Sequence, residues 1–401
     1  MKEPKAIFIP ILMYLLVFAD VCYCDTFTNR QTKEVLHGYV TSRVEGGQER
    51  VNTQEKGILN LNPGEWEVTR DRLGRNNKVM VLPADDMIMY EIETAAFEQA
   101  IAAASDEGPL LILLEIDTPG GRTDLAQRMC SAITKAANCD VIAFIKGGQY
   151  GGAISAGAAV ALACNKIYMA NNTVIGAATL VTLSKVKADS RGKEKSYKEV
   201  IDEKYSSVWR AYLASLAQQN KRPGLLARAM VDSSIEVIEV NQAAKRLFIE
   251  PVNKKPEQPI VRTWNKTGSL LTLTAEEAVE CTIADGLVGS REQLLQQLQA
   301  GDANVVIDKK ITNARRELQI AMRRAEEIRK SFDMKLKQLE YSQPRPKALG
   351  ILRGAKSDLE DVAGLAKKYP DLNIDAKDVE SMLNTVTAAY ENAIQESKSR
   401  R

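Results

Sequence analysis

The chain reads as an α/β protein, with a small β module ahead of a parallel-sheet domain and a helical region behind it. Three observations predict this. Near-continuous apolar runs such as Leu110-Leu111-Ile112-Leu113-Leu114 have the composition of strands buried on both faces of a parallel sheet. Segments with helical apolar periodicity alternate with those runs, which places helices against the sheet. From Ile311 onward strand patterns stop and an apolar stripe recurring every three or four residues takes over.

Each segment follows in order. Lys2 and Lys5 precede the apolar run Ala6 to Ala19, and the small residues Cys22 and Cys24 stand two positions apart just ahead of Asp25. This is the pattern of a secretory signal, so residues 1–24 are expected to direct export to a periplasmic or extracytoplasmic location. The run is interrupted by Pro10 and is shorter than the roughly 20 residues a spanning helix needs. Residues 25–76 are polar and turn-rich, with Gly46-Gly47 and Asn62-Pro63-Gly64 separating β-prone pieces at Gly38 to Thr41 and Trp66 to Val68. They are expected to form the small β module.

Residues 77–302 carry the alternation. Strands are predicted at Val79 to Leu82, Leu110 to Ile116, Val141 to Ile145 and Lys166 to Ala170, and helices at Glu91 to Ala104, Asp124 to Ala137, from Ser155, and at Asp202 to Gln219. Between Leu180 and Lys198 apolar periodicity disappears, which predicts a mobile loop beside the site. Further strands are expected at Ile235 to Val240, Pro259 to Thr263 and Leu270 to Leu273. Thr274 then caps a helix while Glu277 reaches back to it. In residues 303–401 the stripe Ile311, Ala314, Leu318, Met322, Ala325, Ile328, Phe332, Leu336 and Leu339 predicts a long helix, followed after Pro344 and Pro346 by two more. A coiled-coil-like assembly surface is the first reading of this region. The pairs Arg315-Arg316 and Arg323-Arg324 suggest, as a second reading, peripheral contact with an anionic membrane.

Composition narrows the function. Among 401 residues, Lys and Arg number 54 against 52 Asp and Glu, so net charge gives no reason to expect nucleic acid as a partner. Beyond residue 24, Cys130, Cys139, Cys164 and Cys281 have no metal-ligand spacing, and no metal or cofactor is expected. Cys130 and Cys139 are close enough in sequence to bridge, yet both sit in apolar patterns typical of buried free thiols, which is the outcome expected. The chain has one histidine, His37, far upstream of the glycine-rich motifs. A lysine is the more economical general base.

The chemistry concentrates in two stretches, Ile116-Asp117-Thr118-Pro119-Gly120-Gly121 and Gly151-Gly152-Ala153-Ile154-Ser155-Ala156-Gly157. Acyl transfer needs an activated hydroxyl and donors aimed at the developing oxyanion. Ser155 opens an Ala-rich helix, where the amide of Ala156 faces a bound carbonyl, and the Gly120-Gly121 turn offers a second set of amides close to substrate. In isolation the serine stretch reads as a small-residue packing helix; the order of the two stretches favours a nucleophile. Lys204 is the candidate base, on the argument that it shares a helical face with Val208, Ala211 and Tyr212 and is thereby desolvated. Lys185, Lys187, Lys193, Lys195 and Lys198 compete from the predicted loop.

On Leu114 to Gly121, Ser155-Ala156-Gly157, Lys166 to Ala170 with Ile175-Gly176-Ala177, and Leu273 to Ala278 with Ala284-Asp285-Gly286, the chain resembles the ClpP/crotonase superfamily, and within it the NfeD-like, SppA-related serine peptidases. The resemblance implies a spiral of ββα units, a Ser155–Lys204 dyad and an oxyanion hole from Gly120, Gly121 and Ala156. It also implies homo-oligomers and a peptide or protein substrate with apolar stretches, drawn from membrane or exported proteins. Long NfeD proteins continue into membrane spans, whereas the segment after the matching motifs here is charged and helical. Two other functions share this fold: a non-catalytic scaffold, and an acyl-CoA-handling enzyme, which an export signal disfavours because CoA is cytosolic.

Overall fold

The computed structural model describes residues 25–44, 47–69, 76–137, 139–180, 182–185, 197–200, 203–242, 245–341 and 345–399. The predicted signal, residues 1–24, lies outside them. Two compact units divide at residues 76 and 77. The first is an antiparallel sheet of β1 (Asp25–Asn29), β2 (Val35–Arg43), β3 (Glu49–Thr53), β4 (Gly57–Leu61) and β5 (Trp66–Thr69), in the order β4-β3-β2-β1-β5. Phe27, Leu36, Val40 and Val51 fill its buried side. His37 remains within this module, its Nδ1 2.6 Å from Glu55 Oε1, and its main-chain N–H helps hold the Glu55 carboxyl below the usual range.

The second unit opens with β6 (Asn76–Asp85), α1 (Glu91–Glu107), β7 (Pro109–Asp117), α2 (Thr123–Lys135), β8 (Asp140–Ile145), β9 (Gly152–Ile154) and α3 (Ala156–Ala163). There follow β10 (Lys166–Met169), β11 (Val174–Gly176), the hairpin β12 (Thr182–Lys185) and β13 (Tyr197–Val200), α4 (Glu203–Gln219) and α5 (Gly224–Ala229). Next come β14 (Val237–Gln242), β15 (Lys245–Ile249), β16 (Ile260–Asn265), β17 (Thr272–Thr274), α6 (Ala275–Glu280), β18 (Gly286–Leu287) and α7 (Arg291–Gln297). Strand β19 (Asn304–Ile307) precedes the long helices α8 (Lys310–Tyr341), α9 (Arg345–Lys368) and α10 (Ala376–Lys398). Where a mobile loop was expected between Leu180 and Lys198, the described residues form the β12–β13 hairpin, and the positions between those strands lie outside the description.

The main sheet has the order β18-β10-β8-β7-β6-β19. Its pairs β18–β10, β10–β8, β8–β7 and β6–β19 are parallel. Successive units step across it, β8-β9-α3 and then β10-β11-α4, and their short second strands form a separate β17-β11-β9 sheet. Side chains of β7 alternate as a pleat requires. Ile112, Leu114 and Ile116 enter the large core beneath α1 to α4, while Leu111 and Leu113 meet Leu294 and Leu295 of α7 on the opposite face. Helices therefore cover both faces, unequally. Thr274 and Glu277 form the predicted capping box at α6. The parallel sheet also continues past residue 302: Val305-Val306-Ile307 adds β19 beside β6 before the helices begin, a strand too short to show in the sequence pattern.

Most of the apolar stripe of α8 finds its contacts inside the chain, while Leu336 stays exposed. Ile311 joins the main core, Leu318 packs with Tyr369, and Phe332 and Leu339 pack around Leu352, Ala355, Leu359 and Val386 of α9 and α10. Arg315, read as part of a basic outer face, turns inward to Asp85 and Glu93, and Arg324 lies near Glu327 and Asp361. Among the described residues no helix is long and apolar enough to cross a membrane.

Cys130, Cys139, Cys164 and Cys281 are buried thiols. Burial pushes the Cys130 and Cys281 thiols up to about 12, and raises Cys164 as well. A thiol without thiolate character is unreactive. All four are therefore expected to resist maleimide in the folded protein and to react fully in denaturant, as read by peptide mass spectrometry. Labelling of any of the four under native conditions would contradict this packing.

Candidate active site

Ser155 is the residue between β9 and α3, with φ 55° and ψ −122°. Side chains rarely adopt such a conformation, which costs of order 1–3 kcal/mol and persists only where the surroundings over-determine it. A serine on a sharp, strained strand-to-helix turn resembles a nucleophile elbow, although Ala153 stands where that motif has its first glycine. Its side chain does not cap its own helix. Its N–H donates to Gly176 O at 2.9 Å, clamping the turn to β11.

The glycine turn is delivered by an extension of β7. Thr118 N–H donates to Gly152 O at 2.8 Å and Ile154 N–H to Thr118 O at 3.0 Å, so the chain after Asp117 runs alongside β9. Gly120 then lands against the serine. A Cβ at Gly120 would stand 2.6 Å from Ser155 Cβ and 2.9 Å from Ala156 N, and φ there is +96°. Only glycine meets both demands. The two motifs that the sequence separates by more than thirty positions are thus in van der Waals contact.

The main-chain donors divide differently from expectation. Gly120 N–H is taken by Thr118 Oγ1 at 3.1 Å, and Gly120 O accepts from Ile88 N–H at 2.9 Å, so the part Gly120 plays is steric. Gly121 is bridged to Ile88 by bonds that use Gly120 O and the N–H of Arg122, which leaves its own N–H outside this pairing. Ala156 is the first residue of α3, where helical N–H groups lack intrahelical acceptors and the helix dipole favours negative charge. Gly121 and Ala156 are therefore the amides that the Ile88 and Thr118 pairing leaves as candidates for an oxyanion hole.

Asp117 was not singled out by the sequence. Its carboxylate, 5% exposed, accepts the N–H groups of Tyr150 and Gly152, each at 3.2 Å. A Cβ at Gly148 would strike Asp117 Oδ2 at 2.4 Å. The carboxylate thereby folds the loop that leads into β9 and Ser155. A buried aspartate ending an apolar strand, upstream of a glycine run, was the available signal.

Lys204 lies in the first turn of α4, the helix packed on α3. The predicted helical phase is wrong. The buried face is Ser206, Trp209, Leu213, Leu216 and Ala217, whereas Lys204, Tyr205, Val208 and Ala211 are exposed. Trp209 sets this rotation by donating its indole N–H to Ala178 O at 2.9 Å and stacking on Tyr212. The dry environment expected for Lys204 is absent from the single chain. Among its competitors, Lys185 and Lys198 belong to the β12–β13 hairpin, and Lys187, Lys193 and Lys195 fall outside the described residues.

Replacing Gly120 by Ala adds backbone strain and a Cβ overlap with Ser155, for an expected loss of about 2–4 kcal/mol in urea unfolding. Gly108→Ala is the control, because φ is +60° there and nothing lies within 4 Å of its added Cβ; it should lose only about 1–2 kcal/mol. Equal losses would show that Gly120 and Ser155 are not in contact.

The comparisons with known proteins agree with this region. Residues 78–255 match the family model described as NfeD1b, N-terminal domain. The membrane protein NfeD1b of Bacillus subtilis (strain 168) is 30% identical over 221 residues, 55% of this chain and 41% of that protein. The chain thus spans about two-fifths of that relative's length. Among solved structures, a serine-to-alanine mutant of the 1510-N membrane-bound stomatin-specific protease is 21% identical with a TM-score of 0.43, covering 58% of this chain and 98% of that one. The 1510-N protease from Pyrococcus horikoshii, specific for a stomatin homolog, is 20% identical with a TM-score of 0.35, covering 58% and 92%. The stretch that holds the glycine turn, Ser155 and Lys204 lies within the match to the NfeD1b N-terminal domain, and the resemblance to NfeD-like proteins read from its motifs is borne out.

Proposed function

We propose that this protein is a serine endopeptidase acting through an acyl-enzyme at Ser155. The observation that supports the reading is the strained Ser155 turn with Gly120 packed against its Cβ and against the Ala156 N–H. Strain of this kind is concentrated where it serves a reaction. In the proposed sequence the Lys204 amine accepts the Ser155 Oγ proton as Oγ bonds to the scissile carbonyl carbon. The carbonyl oxygen takes the electron pair and is held by the N–H groups of Gly121 and Ala156. The oxyanion then re-forms the carbonyl as the scissile C–N bond breaks and Lys204 gives its proton to the leaving amine, and water hydrolyses the resulting ester by the same route.

Apolar peptide segments are the proposed substrates. Met87 and Met89, 47% and 37% exposed, stand on either side of Ile88 next to the Gly121 turn, and Tyr205 and Val208 are exposed beside Lys204. An apolar chain laid across these side chains would remove water from Lys204, supplying on binding the desolvation that the lone chain lacks. Homo-oligomers, an exported location set by residues 1–24 and peripheral membrane association complete the proposal; the relative's name as a membrane protein supports the last of these alone. The exposure of Lys204 favours a second reading, a scaffold that keeps the fold without the chemistry.

Cleavage of an apolar peptide separates the two. Ser155→Ala should abolish turnover with the unfolding midpoint unchanged, and Lys204→Ala should lower kcat by a factor on the order of a thousand or more, because nucleophile and base act as a unit. Full activity of Ser155→Ala would remove the nucleophile, and full activity of Lys204→Ala would move the base elsewhere.

A further inference from the structure

The segment between β6 and α1 is held at both ends by the C-terminal helices, and its centre holds the oxyanion turn. At the first end, Arg315 of α8 donates Nη1 to Asp85 Oδ1 at 3.0 Å and Nη2 to Asp85 O at 2.6 Å. Its Nε reaches Glu93 Oε2 at 3.0 Å. Arg315 presents a planar fork to three acceptors, which fixes direction as well as distance. Burial pushes the Glu93 carboxyl up, and Arg315 pulls it back.

At the second end, α1 lacks a cap of its own. Its N-cap residue, Tyr90, makes no side-chain capping bond. Asp371, in the turn Pro370–Leu372 between α9 and α10, supplies the cap instead, accepting Glu91 N–H at 2.7 Å and Ile92 N–H at 3.0 Å from 280 positions away. A carboxylate at a helix N-terminus satisfies orphan donors and complements the dipole. Tyr90 and Ile92 pack with Leu318, Tyr369 and Leu372, and Tyr369 donates its hydroxyl proton to Glu317 at 2.6 Å.

Between these anchors lies Ile88. Its N–H donates to Gly120 O, its carbonyl accepts Arg122 N–H, and a Cβ on Gly121 would meet Ile88 O at 2.2 Å. The Ile88 peptide is therefore the wall against which Gly121 rests. Arg122 adds a link back to the start of α1, with Nη2 3.0 Å from Glu91 Oε1. Tyr150 adds one toward the serine loop, donating its hydroxyl to Asp86 Oδ1 at 2.9 Å.

We propose that the C-terminal helices are a positioning device for the oxyanion hole, with Arg315 and Asp371 as positioning residues that fix segment 85–91 and through Ile88 aim the N–H of Gly121. Neither side chain touches substrate. Their effect arises because donor geometry at an oxyanion hole is steep: a displacement of about 1 Å is enough to lower a rate on the order of a hundredfold.

The test compares Arg315→Gln and Asp371→Ala with Asp371→Asn, which keeps a capping oxygen, in the full chain. Amide hydrogen exchange is read at Ile88 and Arg122, with Leu113 and Ala143 in the central strands as internal references. We expect exchange at Ile88 and Arg122 to accelerate about tenfold or more in Arg315→Gln and Asp371→Ala while the references stay protected, and Asp371→Asn to restore most of the protection. With an apolar peptide substrate, kcat should fall about 10- to 100-fold at nearly constant KM. Unchanged exchange at Ile88 and Arg122, or uniform acceleration at all four amides, would overturn the proposal. The inference rests on the peptidase reading for its kinetic arm only. A wild-type protein without peptidase activity would sink that reading, and the exchange pattern would still decide the coupling.

Discussion

The structure of the site depends on one close approach, that of the Gly120 backbone to the Cβ of Ser155. Every neighbouring element is arranged to make it and to hold it. The extension of β7 pairs with β9 through Thr118, Thr118 Oγ1 takes the Gly120 N–H, and Asp117 folds the loop that feeds β9. Gly157 allows the start of α3 to rest on Thr118, where a Cβ would meet Thr118 Cγ2 at 2.4 Å. Backbone without side chains on one strand end is thus fitted to a strained serine on the next.

That arrangement depends on the parallel pairing of β7 with β8. A parallel order brings the carboxyl ends of β7 and β8 to the same edge, where the turns that follow each strand meet. The core beneath α1 to α4 makes those strand ends rigid, since Ile112, Leu114, Ile116 and Ile145 are fully buried. Rigidity is what a preorganised oxyanion hole requires, because donors that must reorganise during the reaction contribute little.

Much of this was legible in the sequence because it rests on local chemistry. The apolar run of β7 signalled a buried strand, Thr274 and Glu277 signalled a capped helix, and the chain order of the paired glycines and the serine signalled the place where Gly120 meets Ser155. Other features rest on contacts that no local pattern records. Val208 and Ala211 are as apolar as the residues of the buried face of α4, so periodicity alone could not choose its rotation; the Trp209 indole bond to Ala178 O did. The strands β9 and β11 are three residues each, too short for an alternating pattern to show. Arg315 and Asp371 meet partners more than two hundred positions away, and in sequence they look like an ordinary surface cation and an ordinary turn aspartate.

Covalent capture tests the central claim most directly. The full chain is incubated with an active-site-directed fluorophosphonate and the modified residue is located by peptide mass spectrometry. The account predicts one adduct, on Ser155 and on no other serine, formed faster than in Lys204→Ala. An absent adduct, or one on a serine outside the β9–α3 turn, would contradict it.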